Sequence, residues 1–368
     1  MKTKKKSILG RYWIYLFVIV CWVGSELLIQ QDLMSPVIRN QLVPICCWVT
    51  MAVSLNLVVG ISGELSLGHA GFMSLGAFSG LLTAAWLQNA AQVESPLLRL
   101  IVAMLAGGLV AGVSGFLIGI PVLRLRGDYL AIVTLAFGEI INSLIINLYV
   151  NLDGSTLYFK FLKGRGLPGI PLLAGAQGPD NVSKIALIPV GFILVLLTLL
   201  VTKNLVSSRT GRAIMATRDN RIAAESVGIN VTKYKMTAFV TAAVLAGMAG
   251  AMYGLFMSKA TKPTMFRYTK SIDVLVFVVL GGLGNLNGSV ISAALLTILP
   301  EQLRFLNDYR MLIYAVVLIL MMLLSNNPKI RASLTQLKAL IPAGKEKKEL
   351  HQIVQAGRDG SGKGGEGA

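Results

Sequence analysis

The chain has 368 residues, of which 54% are hydrophobic and only 14% charged, with a formal net charge of +17 and a mean hydropathy of +0.69. Soluble domains carry about 25% charged residues, whereas apolar runs of about 20 residues, the length that lets a helix cross a hydrocarbon core about 30 Å thick, recur throughout this chain. Soluble, fibrous, collagenous and wholly disordered classes are excluded, and the chain reads as an all-α, polytopic transmembrane helical bundle.

In chain order the apolar segments begin with Tyr12–Leu28 and Leu42–Gly60, then a Gly-rich span, Leu65–Leu87, and Leu97–Leu123. Tyr129–Val150, Ile185–Val201 and Met236–Phe256 follow. Ile272–Leu283 and Leu286–Leu299, separated by Gly284-Asn285, are too short to cross without distortion, and Met311–Leu324 is last. About ten spans are predicted, including short or broken ones. The basic start ahead of the first run is like a secretory leader. No small-residue cleavage site follows at Val23-Gly24-Ser25-Glu26, so the run is read as an uncleaved span. The organisation is a basic segment 1–11, a membrane domain 12–328 and a basic, Gly-rich, flexible tail 329–368. Glycines four apart (Gly76/Gly80, Gly108/Gly112, Gly115/Gly119, Gly250/Gly254) predict close helix packing, which in lipid depends on small residues.

The positive charge sits beside the spans. Met1–Arg11, Lys203–Lys235 and Lys329–Ala368 hold most of it, the positive-inside pattern that sets orientation and needs no nucleic acid. With Met1–Arg11 inside, an even span count returns the tail to the same side. Arg124–Asp128 and Lys203–Lys235 then fall inside and Asn151–Lys184 outside. Lys259, Lys262, Arg267 and Lys270 conflict with this, standing outside near a single acid, Asp273. Cys21, Cys46 and Cys47 all lie in apolar runs with no disulfide or zinc spacing, and read as small apolar fillers.

No water-soluble catalytic constellation is visible. The only histidines are His69 and His351, and no metal or cofactor is expected. Gly357–Gly364 approaches a phosphate-binding loop, but Gly364 stands where Ser or Thr would bind magnesium and no strand precedes it. The chain is therefore not expected to bind ATP itself.

Two polar interruptions stand out: Gly60–Gly71, with Glu64, Ser66 and His69, and Gly281–Gly288, with Asn285 and Asn287. Paired Gly-interrupted spans point to a transport pathway, while tight turns at the membrane surface are the plainer reading. His69 alone reads more simply as a satisfied structural residue. Glu139 lies near the middle of its span with Asn142 at i+3 on the same face. A carboxylate there is costly unless it pairs, protonates or meets water, so it serves either function or an interhelical clamp. In the 203–235 loop, Arg212–Gly228 reads as a short charged helix, with Arg218, Asp219, Arg221 and Glu225 on it and Gly228 as its left-handed cap. Such a helix either docks into a groove on another protein or is an ordinary solvated one.

These residues resemble a family. Gly63-Glu-Leu-Ser-Leu-Gly-His-Ala-Gly-Phe-Met-Ser-Leu-Gly-Ala77, the run from Leu123 through Gly138-Glu139, Gly211–Asn230 and Val279–Gly288 are similar, in order, to branched-chain amino-acid ABC permeases of the LivM type. The resemblance covers about Gly60 to Pro300, and nothing beyond Pro328. It implies a non-catalytic permease subunit in the plasma (inner) membrane, with both termini cytoplasmic. Its implied partners are a second homologous permease, two cytoplasmic ATP-binding subunits and an extracytoplasmic substrate-binding protein. The 203–235 loop would be the ATPase-coupling element, with Arg212, Arg218, Asp219, Arg221, Glu225 and Gly228. ABC importers often show Glu-Ala-Ala, three residues, then Gly there; Ile222-Ala-Ala-Glu225-Ser-Val-Gly228 places the acid three positions late. Relatives with similar motifs carry urea, amides or other amino acids. The rivals are an ion-coupled secondary transporter working through Glu64, Glu139 or His69, and a non-transporting scaffold or receptor.

Overall fold

A computed structural model of the chain describes residues 8–125, 127–154, 156–161, 168–180, 182–303, 309, 312–313 and 315–319. The tail 329–368, with His351 and the Gly357–Gly364 stretch, lies outside the described residues. So do Met311, Tyr314 and 320–324 of the last predicted span, although 312–313 and 315–319 are helical. Residues through Arg310 form one compact unit and Met311–Ala368 another.

Each predicted apolar segment before Met311 contains one helix: α1 (Ile8–Gln30), α2 (Pro36–Asn56), α3 (His69–Asn89, so Leu65–Gly68 of the predicted span is irregular), α4 (Pro96–Val122), α5 (Asp128–Ile146), α6 (Ile188–Ser207), α9 (Val231–Met257), α10 (Tyr268–Gly281) and α11 (Leu286–Gln302). A π-helical turn, Leu57–Ile61, extends α2. Among the described residues seven helices are long and apolar enough to span a membrane. The chain is a multi-pass membrane protein. At about 1.5 Å per residue, the 14 residues of α10 and 17 of α11 cover roughly 21 and 26 Å, less than the hydrocarbon thickness. They fold back on each other as a hairpin, Ser292 Oγ donating to the Phe277 carbonyl at 2.5 Å.

The centre is built from α2, α3 and α9, with α4 packed along α3 and α9. The glycine spacing sets this contact. A Cβ on Gly108 would stand 2.8 Å from Met248 Cγ, one on Gly115 2.7 Å from Ala243 Cβ, and one on Gly247 2.5 Å from the Gly107 carbonyl oxygen. The outer side of α4 (Leu97, Ile101, Leu105, Leu109, Val113, Phe116, Ile120) is exposed and wholly apolar, as a lipid-facing stripe requires.

The 151–184 loop differs from expectation. It carries a three-stranded antiparallel sheet in the order β2-β1-β3: β1 (Leu148–Asp153), β2 (Thr156–Phe161) and β3 (Ile170–Ala174). Thus α5 ends at Ile146, and Leu148–Val150, counted above as its last turn, starts a strand. Alternation decides it: Val150 and Leu152 turn inward against Leu172 and Leu173, while the aromatic-rich β2 lies outermost. The predicted helix Arg212–Gly228 is also two helices, α7 (Arg209–Asp219) and α8 (Arg221–Ser226). Asn220 adopts extended backbone, and its side chain caps α8 by accepting from the Ala223 N–H. Gly228 takes the expected left-handed conformation, φ +80°.

Candidate functional site

The two polar interruptions meet at one end of the bundle. Asn56, fully buried on the last turn of α2, accepts from the Gly284 N–H at 2.8 Å through Oδ1 and donates to Ser289 Oγ at 2.7 Å through Nδ2. Both groups of this amide are used, so an uncharged side chain joins α2 to the α10–α11 turn. At the same place Arg218 Nη1, from the last turn of α7, donates to the Gly60 carbonyl at 2.5 Å. Glu64 pairs with Lys235 of α9. A cleft of about 620 Å³ lies against Glu64, Arg218, Asp219, Glu225 and Lys235.

After the π turn the chain does not leave the bundle. His69 Nε2 lies 2.8 Å from Ser54 Oγ, six residues before Gly60, so Ser62–Gly68 climbs back roughly 9 Å alongside α2 before α3 starts. Irregular backbone within a bundle needs partners from the protein. Here the Leu67 N–H donates to Thr134 Oγ1 of α5 at 3.0 Å and the Ala70 N–H to Ser271 Oγ of α10 at 2.9 Å. α10 starts at the edge of the bundle, with Arg267 and Tyr268 exposed, and becomes buried at Ser271. It follows two 3-10 turns (Ser258–Ala260 and Pro263–Phe266), and Phe266 is buried among Phe78 and Tyr253. The first turns of α3 and α10 therefore meet inside the protein, at Ala70 and Ser271.

Glu139 belongs to this crossing. It accepts the Tyr268 N–H at 3.0 Å, capping α10 from another helix, a favourable place for a carboxylate because the N–H groups there lack intrahelical partners. Glu139 also borders an open cleft of about 590 Å³ with Ala136, Ile140, Ser143, Leu144, Asn147 and Phe161. This exposed side of α5 carries polar groups among its apolar ones, unlike that of α4. Asn142 and Ser66 are buried, and Asn142 Oδ1 and Ser66 Oγ have no hydrogen-bond partner among the described residues.

The other expected site residues separate into local roles. Asn285 caps α11, accepting from the Gly288 N–H at 3.3 Å, while Asn287 is half-buried in its first turn. Arg221 and Glu225 pair with each other at 2.9 Å, and Arg212 donates to the Ser207 carbonyl at 3.3 Å. Asp219 is exposed beside Arg218 at 3.8 Å. Sequence reasoning missed Ser54, Asn56, Thr134, Ser271 and Ser289. The available signal was the polar residue inside an apolar helix. It also missed Ile222 and Val227, which are 80% and 73% exposed on and just after α8. The conflicting cations are partly balanced: Lys259 lies 3.5 Å from Asp180 and Lys270 2.9 Å from Asp273.

Residues 37–322 match the model of the family described as branched-chain amino acid transport system, permease component. The chain belongs to this family. It is similar to the high-affinity branched-chain amino acid transport system permease protein LivM of Salmonella typhimurium and of Escherichia coli K12. Each is 35% identical over 290 residues, 75% of this chain and 66% of the relative. The match thus spans just under two thirds of those relatives' length. The ribose import permease protein RbsC of Escherichia coli K12 is 33% identical over 128 residues, 32% of this chain and 39% of that one. No solved structure matches.

Proposed function

We propose that this permease-family chain is the membrane-spanning, non-catalytic subunit of an ATP-driven importer of branched-chain amino acids. It works beside a second permease of the same kind, two cytoplasmic ATP-binding subunits and an extracytoplasmic binding protein. The observation that carries the reading is the α7–α8 turn. It presents two exposed apolar side chains, Ile222 and Val227, among charges, and its base is joined through Arg218 to the first polar interruption at Gly60, which Asn56 in turn ties to the second. Large apolar side chains exposed together on a charged helix mark a protein-docking surface. The basic residues of 1–11, 203–235 and 329–368, with an even number of spans, support a cytoplasmic α7–α8 end and two cytoplasmic termini.

The transport path is assigned to the α5 side. Glu139, Ser143 and Asn147 supply the polar groups along the cleft there, and Ile140 and Leu144 its apolar wall. A carboxylate facing hydrocarbon is costly, so this side faces water or the second permease rather than lipid. Ser66, His69 and Asn142 lie behind it, and Glu64, Asn285 and Asn287 near the cytoplasmic turn. Transport proceeds by alternating access, with ATP-driven closure of the ATP-binding subunits pushing on α7–α8.

The test is reconstitution in vesicles of the complete set of subunits and of this chain alone. ATP-dependent leucine uptake by the complete set only is the expected result. Uptake by this chain alone, driven by an ion gradient and insensitive to ATP depletion, would replace the importer reading with a secondary transporter.

A further inference from the structure

The geometry points to a mechanical role for Arg218: it is a strut that carries displacement of the α7–α8 turn into the polar joint between α2 and the α10–α11 hairpin. This inference rests on the importer reading and names the residue through which that reading transmits force. Arg218 touches no part of the cleft beside Glu139, so it is a positioning residue.

One glycine leaves the room that the side chain occupies, and two more border its tip. Gly63, at φ +76°, lies against the stem, and a Cβ there would stand 2.6 Å from Arg218 Cγ. Gly60 offers its carbonyl to Nη1 at 2.5 Å. Gly284, at φ +79°, lies at the tip, where a Cβ would be 3.8 Å from Nη1. Gly284 and Gly60 also touch one another, since a Cβ on Gly284 would be 3.3 Å from the Gly60 oxygen. The Gly284 N–H is held by Asn56, four residues before Gly60. One guanidinium therefore reaches the point where the end of α2 meets the turn of the hairpin. It arrives from α7, whose Gly211, Ile214 and Thr217 are buried, and the Arg218 side chain remains partly exposed.

Its position makes a lever. Arg218 lies in the last turn of α7, two residues before the extended Asn220 that starts α8 and four before the exposed Ile222. α8 adjoins α7 at this point, so a push on α8 bears on Arg218 as well as on the contacts of α8 with α9. A guanidinium-to-carbonyl bond is charge-assisted, and the planar, permanently charged group holds its direction better than an ammonium. The α10–α11 hairpin runs from this joint to Tyr268 at Glu139, so movement at Gly284 reaches the α5 cleft along one short helix.

The experiment uses the complete reconstituted transporter and measures amino acid moved per ATP hydrolysed, for the parent, Arg218→Ala, Arg218→Lys and Gly63→Val. A second readout is the distance between spin labels at Leu283 and Glu94, compared between the nucleotide-free and ATP-trapped states. Arg218→Ala is expected to lower the transport-to-hydrolysis ratio about tenfold and to abolish the ATP-dependent distance change, with Arg218→Lys restoring part of both. Gly63→Val, which invades the slot from the opposite wall, is expected to do the same without touching the charge. If Arg218→Ala keeps the parent's ratio and distance change, the strut is overturned while the importer reading stands. If the parent complex moves nothing in response to ATP, both fall.

Discussion

Glu64 and Lys235 form an ion pair in which both side chains are largely enclosed, 13% and 9% exposed, and it ties the segment after the π turn to the first turns of α9. Removing one partner of such a pair strands the other charge. Lys235→Ala is expected to cost about 3 kcal/mol of stability. Lys235→Met combined with Glu64→Leu should recover most of that. Thermal unfolding of the purified chain in detergent measures both, and adding the single variants Lys235→Met and Glu64→Leu closes a double-mutant cycle. A coupling near zero would show that the pair does not hold these elements together.

The α3–α4–α9 contact depends on the absence of side chains at its glycines. Gly247→Val is expected to abolish folded protein, because its Cβ alone would stand 2.5 Å from the Gly107 carbonyl oxygen. Gly24→Val, where a Cβ meets nothing within 4 Å, should leave yield and melting temperature unchanged. Size-exclusion profiles of the two variants make the comparison. Equal profiles would refute close backbone approach as the packing determinant.

The exposed apolar pair on the α7–α8 turn gives a direct test of docking. Ile222→Asp and Val227→Asp should each weaken capture of the ATP-binding subunits by about 2 kcal/mol, roughly 30-fold, while leaving the melting temperature of the isolated chain unchanged. Affinity measured by titrating those subunits against the purified permease decides it. Unaltered affinity in both variants would move the docking surface elsewhere.

Glu139 both caps α10 and borders the α5 cleft, and the two duties separate on substitution. Glu139→Gln keeps an oxygen to accept the Tyr268 N–H but removes the charge. It is expected to melt like the parent and to lower maximal uptake about tenfold. Glu139→Ala should additionally destabilise the fold by about 1 kcal/mol, the loss of that hydrogen bond, and so lower the melting temperature. Normal uptake by Glu139→Gln would leave the residue a cap only.

Much of the fold is legible from composition because the physical constraint is severe: a run of apolar residues long enough to cross lipid has few alternatives to a helix. That holds even for α10 and α11, whose shortness and intervening Gly-Asn already mark a hairpin. The β1–β3 sheet was hidden because its strands follow α5 with one intervening residue, and an apolar run does not reveal where helix gives way to strand. At the site, the sequence exposes Glu139 and His69 as polar groups in apolar surroundings but not their partners. The partner of Glu139 is a backbone N–H 129 residues away, which has no sequence signature. Arg218 shows the opposite limit. The sequence offers it as one of several charged residues on the coupling element, and only the fold brings it together with Gly60, Gly63 and Gly284.

The side chain of Asn56 has one more implication. It fastens helix to hairpin with an amide, which neither gains nor loses a proton under physiological conditions and offers no net charge for salt to screen. A pivot of this kind keeps the same strength in acidic and alkaline surroundings and in fresh or saline media. A cell exposed to changing chemistry outside would thus retain a constant fulcrum within its membrane.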